Sequence, residues 1–268
     1  MTIQFERESL AALRSVASSE ELMEEPIERV VTGTKGSMRD IVTNLDTMIE
    51  KHICAVLMET AYPILSEEAY TPDAELPPMD APFWVVDPID GTVNFASGMP
   101  YYAVSVGLWD GTGFGVGAVS MPAFKEIFFT HGNEAAFLNG KHLKAQPSTL
   151  QDALIGVSLP GRMQPGGPPH YEIFARVNES SRGCLRLGSA AALLCLTACG
   201  RLQGAYGFNA KLWDVGGGLA IASRAGCEVW TRFHPGHATL DYLVTAPGVL
   251  EPLMALVLPD PSTLGAKS

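Results

Sequence analysis

The chain reads as an α/β protein with an α+β first half and an α/β second half. Three patterns predict this: an amphipathic helical repeat beginning at Asn44, a run of short β segments between Phe83 and Leu138, and strand–helix alternation from Ala153 onward. With 268 residues and 47% hydrophobic content, the chain can bury a large core, in one big domain or two moderate ones.

In order, residues 4–20 place Phe5, Leu10, Leu13 and Val16 on one helical face. From Asn44, the residues Leu45, Met48, Ile49, Ile53 and Leu57 recur at three- and four-residue spacing, which marks an amphipathic helix. Its polar start sets Asp46 near a helix N-terminus, where the dipole favours a carboxylate. A neighbour of a metal site is the other reading, and the residues alone favour the first. Pro63-Ile64-Leu65 is a short strand that ends at Glu67 and Glu68, and Phe83–Val86 is a buried strand. Tyr101–Trp109 and Gly115–Met121 form a hairpin about Asp110-Gly111. Glu126–Thr130 and Ala135–Leu138, closed by Asn139-Gly140, continue an antiparallel sheet. The segment Lys141–Ser148 is the best boundary, giving a first domain of residues 1–145 and a second of 146–268. The second half runs as strand Ala153–Ser158, helix from Tyr171, strand Cys184–Leu187, helix Ala190–Cys199, strand Gly204–Tyr206, helix Val215–Ala225 and strand Cys227–Trp230. Pro160–Pro169, rich in proline and glycine, reads as a surface loop.

The formal charge of −11, with no basic cluster against it, argues against nucleic acid as a partner. No apolar run reaches the roughly 18 residues of a membrane span. The acidic start, Met-Thr-Ile-Gln-Phe-Glu-Arg-Glu, lacks the basic and apolar regions of a secretory signal, so a cytoplasmic location is expected. Cys54, Cys184, Cys195, Cys199 and Cys227 have neither zinc-ligand nor redox spacing and read as buried thiols. The histidines are equally dispersed.

The informative stretch is Phe83-Trp84-Val85-Val86-Asp87-Pro88-Ile89-Asp90-Gly91-Thr92-Val93-Asn94-Phe95. A buried strand enters a carboxylate, a proline, a second carboxylate and a Gly-Thr. A tight turn at Pro88 would fold Asp87 and Asp90 towards each other. Two carboxylates held together out of water repel unless a cation lies between them, and oxygen ligands suit Mg²⁺. Gly91 and Thr92 then offer amides and a hydroxyl where a phosphate would lie. A capped turn with two solvated aspartates is the plain rival, and the strand feeding the motif tells against it.

Asp-Pro-Ile-Asp-Gly-Thr-x-Asn-Phe resembles the core motif of the inositol monophosphatase family, Mg²⁺-dependent and lithium-sensitive phosphatases. Four further segments carry the resemblance in the same order. Lys35, Asp40, Val42, Thr43 and Asp46 match its Lys…Asp-x-Val-Thr-x-x-Asp pattern, and Ser66-Glu67-Glu68 its Gly-Glu-Glu. Gly188-Ser189-Ala190-Ala191 is similar to its Gly-Ser/Thr-Ala-Ala helix start, and Trp213-Asp214-Val215 to its Trp-Asp-x-Ala-Ala-Gly. The resemblance implies a layered αβαβα sandwich of the inositol monophosphatase and fructose-1,6-bisphosphatase type, two or three Mg²⁺ ions, a small phosphate ester as substrate and a homodimer. Glu67, Asp87 and the carbonyl of Ile89 would hold one ion. Asp87, Asp90 and Asp214 would hold a second, and Glu67 with waters a weaker third. Glu67, Thr92 and Asp46 would serve catalysis, with Glu67 and Thr92 orienting and deprotonating the attacking water. The amides of Gly91, Thr92 and Val93 would grip the phosphate, and the leaving alcohol would lie against Gly188, Ser189, Ala190 and the segment before Asp214.

Each assignment has a plain rival. Glu67 and Glu68 could be solvated loop charges, and Asp214 could be the N-cap of a helix starting at Val215. The glycines 216–218 point to a close approach by ligand or chain. Two positions depart from the family pattern. Val93 follows Gly-Thr in place of a second hydroxyl. Gly207 stands where these enzymes carry a glutamate that receives inositol hydroxyls. With no side chain at 207 that wall is expected to be open, with Ser189 and Lys211 the nearest polar groups.

Overall fold

A computed structural model describes residues 5–24, 31–37, 40–71, 73–159 and 169–258. The expected loop at 160–168 lies outside the described residues, as do the side chains of Lys35, Asp40 and Val42.

Seven strands form the first sheet, in spatial order as in sequence: β3 (Ile64–Ser66), β4 (Phe83–Asp90), β5 (Ala103–Trp109), β6 (Phe114–Met121), β7 (Glu126–His131), β8 (Ala135–Leu138) and β9 (Lys141–His142). Only the β3–β4 pair is parallel in it. The second sheet contains β10 (Leu154–Ser158), β11 (Gly183–Leu185), β12 (Gly204–Lys211), β13 (Glu228–Phe233) and β14 (Thr239–Thr245), in the order β11-β10-β12-β14-β13. Here β10 runs parallel to β11 and β12, while β14 is antiparallel to both its neighbours.

Helices alternate with these sheets. On the outer face of the first sheet lie α1 (Glu6–Glu24) and α2 (Asn44–Leu57), whose Val16, Ile49 and Ile53 pack with Trp84, Val104 and Leu108. Between the sheets lie α5 (Ala190–Ala198) and α6 (Leu212–Arg224), in a core running from Val85 and Val119 to Tyr242 and Val244. Behind the second sheet lie α4 (His170–Ser180) and α7 (Leu250–Val257), packed on Ile155, Tyr206 and Leu243. The result is the expected five-layer αβαβα sandwich. The change of sheet falls between His142 and Leu154, and one apolar core runs across it.

Several elements were not read from the sequence. A hairpin, β1 (Val31–Ser37) with β2 (Asp40–Thr43), precedes α2. The second sheet gains β14, whose charged Asp241 broke the apolar pattern. The chain then continues into α7, where Pro252 lies in the first turn and its missing N–H would be unpaired in any case. Among the described residues, no helix is long and apolar enough to cross a membrane. All five cysteines are free, and burial pushes Cys54 and Cys184 up to about 11 and Cys227 to about 12.

The glycines at 216–218 serve approach by chain. A Cβ on Gly216 would lie 2.4 Å from Val85 Cγ2, on Gly217 2.7 Å from the Val106 carbonyl, and on Gly218 2.6 Å from Leu194 Cβ. From the sheet side, a Cβ on Gly107 would meet Gly217 N at 2.6 Å and one on Gly117 would meet Gly217 O at 2.2 Å. Helix and sheet therefore touch backbone to backbone, which is how a helix with so few side chains stays buried.

Gly117→Ala should cost about 1–3 kcal/mol, the usual range for overpacking, read as a lower denaturation midpoint at unchanged slope. Gly113→Ala, where an added Cβ meets nothing within 4 Å, is the control. Equal midpoints for the two variants would show that the contact yields freely.

Candidate active site

In a regular strand, residues three apart point to opposite faces. Between β4 and β5 the register passes from Asp87↔Ser105 to Asp90↔Ala103, so Pro88 and Ile89 together stand against one residue of β5. The extra residue is a bulge, and it restores Asp87 and Asp90 to one face. Pro88 has no N–H to offer the ladder and fits such an unpaired place. Asp87 Oδ1 accepts the Ile89 N–H at 2.9 Å and closes the bulge. The proline therefore does not end the strand at a turn, as the sequence suggested. The strand runs through to Asp90.

Two further elements bring their groups to this bulge. Strand β3 pairs with β4 at Ser66↔Val86, and the Glu67 N–H donates to Val86 O at 3.0 Å, which sets Glu67 beside Asp87. Helix α2 is capped by Thr43, with Asp46 at its third position. Asp46 Oδ2 accepts the Thr43 amide at 2.9 Å and also the Thr43 hydroxyl. Its Oδ1 accepts from Thr92 Oγ1 at 3.3 Å. Asp46 is thus both cap and site group, one oxygen for each. The Thr92 hydroxyl also reaches the Ile89 carbonyl at 2.9 Å. It has one hydrogen to give, so it serves one acceptor at a time and keeps lone pairs for a water.

Gly91, at φ 94°, caps the short α3 (Thr92–Ala96). A Cβ there would lie 3.0 Å from Tyr101 O and 3.2 Å from Gly188 O, so glycine is required. The first-turn amides of Thr92 and Val93 have no intrahelical acceptor and remain available to an anion. Val93 is exposed, and Asn94 donates to Tyr101 O at 2.6 Å and to Leu187 O at 2.7 Å, tying the motif to the second half of the chain.

Ser189 and Ala190 lie against Asp90, and Gly188 lies against Gly91 and Asn94. Ser189 Oγ donates to Asp90 Oδ2 at 2.7 Å, the Ala191 amide donates to the same oxygen at 2.6 Å, and Ser189 also caps α5 by accepting from Ala192 N at 3.1 Å. Ser189 and Ala190 are buried. Their place is under a site carboxylate, and the hydroxyl expected to face the alcohol is already engaged.

Asp214 arrives from the second sheet. Between β12 and β14 the register skips from Gly207↔Tyr242 to Ala210↔Leu240, a second one-residue bulge. Asn209, at φ 52°, donates its N–H to Asp241 Oδ1 at 2.8 Å. Asp241 also takes Arg232 Nη2 at 2.6 Å and His234 Nε2 at 3.0 Å. Helix α6 then begins at Leu212, earlier than the expected Val215, so Asp214 lies in its first turn with Lys211 as the N-cap. Trp213 is buried and packs against Tyr70 with the rings tilted, 5.1 Å between centroids, while Lys211 Nζ lies 5.8 Å from the Tyr70 ring and 5.7 Å from the Trp213 ring.

The expectation of an open wall at Gly207 is corrected. A Cβ at 207 would fall 2.5 Å from Tyr242 Cε1 and 3.1 Å from its hydroxyl. The buried Tyr242 ring already occupies that space, so Gly207 gives neither a carboxylate nor a void. Of the two polar groups expected nearby, Ser189 is spent on Asp90, and Lys211 stands exposed beside Asp214.

The electrostatics follow from this crowding. Burial, then Glu67, Asp90 and Asp214, push Asp87 well above the usual carboxylate range. Burial followed by Asp90 and Glu67 does the same to Asp214, with Lys211 pulling it back. Burial raises Asp90 to about 7 against the pull of Ser189 and the Ala191 amide. Burial also raises Asp46. Asp87 and Glu67 lie within hydrogen-bonding range of each other, which two carboxylates accept only with a shared proton or a cation between them. Among the described residues, no three His, Cys, Asp or Glu side chains already close around one point. Mg²⁺ keeps several waters in its shell, so its ligands need not be closed around one point before it arrives. The donor set therefore fits a hard divalent cation.

The model of the inositol monophosphatase family matches residues 5–258. An inositol-1-monophosphatase from Mycobacterium bovis is 36% identical over 230 residues, covering 82% of this chain and 79% of the relative. A Nus factor SuhB from Vibrio cholerae is 31% identical over 223 residues, 82% and 80% of the two chains. Among solved structures, Mycobacterium tuberculosis SuhB superposes with a TM-score of 0.76 at 29% identity, over 94% of this chain and 96% of that one.

Asp87→Asn keeps the shape and the Ile89 contact but removes the charge that repels its neighbours. Because Asp87, Asp90 and Asp214 have raised values in the folded state, they stabilise the metal-free protein fully below the unfolded carboxylate range. That contribution is lost as pH rises through about 7 for Asp90 and through the raised ranges of the other two. The metal-free wild type should lose melting temperature between pH 5 and pH 8, and Asp87→Asn should narrow that difference. Identical pH profiles would mean that the cluster is not desolvated.

Proposed function

Because the chain belongs to the inositol monophosphatase family, we propose that it is a Mg²⁺-dependent phosphomonoesterase acting on a small hydroxylated phosphate ester. The observation that carries this is the convergence of Glu67, Asp87, Asp90 and Asp214 beside the Thr92 hydroxyl, itself between Asp46 and the Ile89 carbonyl. Glu67, Asp87 and the Ile89 carbonyl would hold one ion, Asp87, Asp90 and Asp214 a second, and Glu67 a weaker third. When bound, such ions neutralise the phosphate, activate a water and stabilise the leaving oxygen. The chain's own groups do the rest. The Gly91, Thr92 and Val93 amides receive phosphate oxygens at the start of α3. Thr92 passes its hydrogen to Asp46 and accepts one from the attacking water, and Glu67 fixes that water from the other side.

Position 207, backed by the Tyr242 ring, supplies no acceptor for polyol hydroxyls. A hydroxyl left unpaired there costs on the order of 1–3 kcal/mol. The reading is therefore of a sugar or nucleoside phosphate, or another biosynthetic phosphate ester, ahead of inositol 1-phosphate. A homodimer, which the resemblance implies, and cytoplasmic residence belong to the same proposal. A second reading, a regulatory binding module of low activity, is favoured by the relatives called Nus factor SuhB.

Phosphate release from a panel of inositol, sugar and nucleoside monophosphates, with Mg²⁺ and with EDTA, separates the two. Turnover on at least one ester, abolished by EDTA, is expected; none on any ester by folded protein would favour the module. Inositol 1-phosphate as the best substrate would overturn the reading of position 207. Thr92→Val should lower turnover by about 10²–10⁴-fold and leave Mg²⁺ affinity nearly intact. Unchanged turnover would remove Thr92 from the mechanism.

A further inference from the structure

The turn that carries Glu67 is held at three points. The Glu67 N–H donates to Val86 O at 3.0 Å, and the Tyr70 N–H donates to Ser66 O at 3.1 Å, closing the turn on itself. The third hold comes from α2, where the Glu68 N–H donates to Glu50 Oε2 at 2.8 Å. Glu50 is 9% exposed and one helical turn beyond Asp46, so the two face the same way. Cys54 follows a turn later, within reach of Ser66 and of the Glu50 charge. A polar stripe of Asp46, Glu50 and Cys54 thus runs along a helix whose other inward positions are Leu45, Ile49, Ile53 and Leu57. A buried carboxylate beside an acidic cluster is a costly choice if it only fills space.

We propose that Glu50 is a positioning residue, whose carboxylate fixes the backbone at Glu68 and so aims the Glu67 carboxylate at Asp87. The inference rests on the reading of Glu67 as a Mg²⁺ ligand. It makes α2 the common frame of the site, since one face of that helix bears both the partner of Thr92 and the brace of Glu67. The other end of the same turn is tied to α6 by Tyr70 on Trp213, 5.1 Å between ring centroids. Groups that orient metal ligands from behind are commonly worth about 10–100-fold in metal affinity.

Two conservative variants separate reach from charge. Glu50→Gln keeps an acceptor at the same distance without the charge, and Glu50→Asp keeps the charge but falls short of the Glu68 amide. Two measurements apply: calorimetric titration with Mg²⁺, and hydrogen exchange of the Glu68 amide in metal-free protein. Glu50→Asp should weaken Mg²⁺ binding by about 10–100-fold and speed Glu68 exchange, while Glu50→Gln stays close to wild type in both. Equal exchange in wild type and Glu50→Asp overturns the brace. An equal loss in both variants also overturns it, because charge and not reach would then matter. A wild type that takes up no Mg²⁺ overturns the metal reading beneath the proposal, and the exchange comparison still decides the brace.

Discussion

Four crowded carboxylates, two of them buried and two half-buried, impose the constraint around which this molecule is organised. Asp87 and Asp90 come from β4, Glu67 from the end of β3, and Asp214 from the first turn of α6. No single element could hold them so close, because each gains more by turning to water. They stay together because each is borne on backbone anchored elsewhere: β4 buried along its whole length, α6 pressed between two sheets, α5 set on Asp90 by its own N-terminus. The three apolar layers supply the stability that the site spends.

A shared device aims these groups. Each sheet contains a one-residue bulge just before a site carboxylate, one at Pro88–Ile89 and one at Phe208–Asn209. In each, an aspartate accepts the amide of the displaced residue, Asp87 for Ile89 and Asp241 for Asn209. A regular strand offers only alternate faces. The bulge breaks that alternation and lets a strand deliver two acids to one place, or redirect the chain into a helix. Asp241 keeps its own charge because burial is outweighed by the Asn209 amide, His234 and Arg232, which hold it below the usual range.

Much of this was legible in the residues. The helix beginning at Asn44, the β run after Phe83 and the alternation after Ala153 are periodic patterns, and periodicity survives into the fold. The acids of the site were visible because a strand running into Asp-Pro-Ile-Asp-Gly-Thr leaves few other uses for two aspartates. Other features depend on contacts between segments distant in sequence. That Tyr242 fills the space beside Gly207 follows only from the β12–β14 register, and β14 itself was hidden by a charged residue at 241. The brace by Glu50 had a local signal, a carboxylate four residues after Asp46 on a helix otherwise apolar within. The bulge could not be read, since proline is equally at home in a turn.

The backbone contact between α6 and the first sheet bears on how such a protein can diverge. Gly107, Gly117 and Gly217 bring peptide against peptide, with Val85, Phe114 and Val119 packed closely around them, so there is little room to enlarge a side chain. Selection can adjust a packed interface by exchanging leucine for valine, but it has no such dial where peptide lies on peptide. The seat of α6 on the first sheet therefore tolerates little substitution. Tyr70, Lys211 and Tyr242, by contrast, meet their neighbours through side chains, which can be exchanged one at a time. A change in what the site accepts is therefore easier to make at those positions than where glycine lies on glycine.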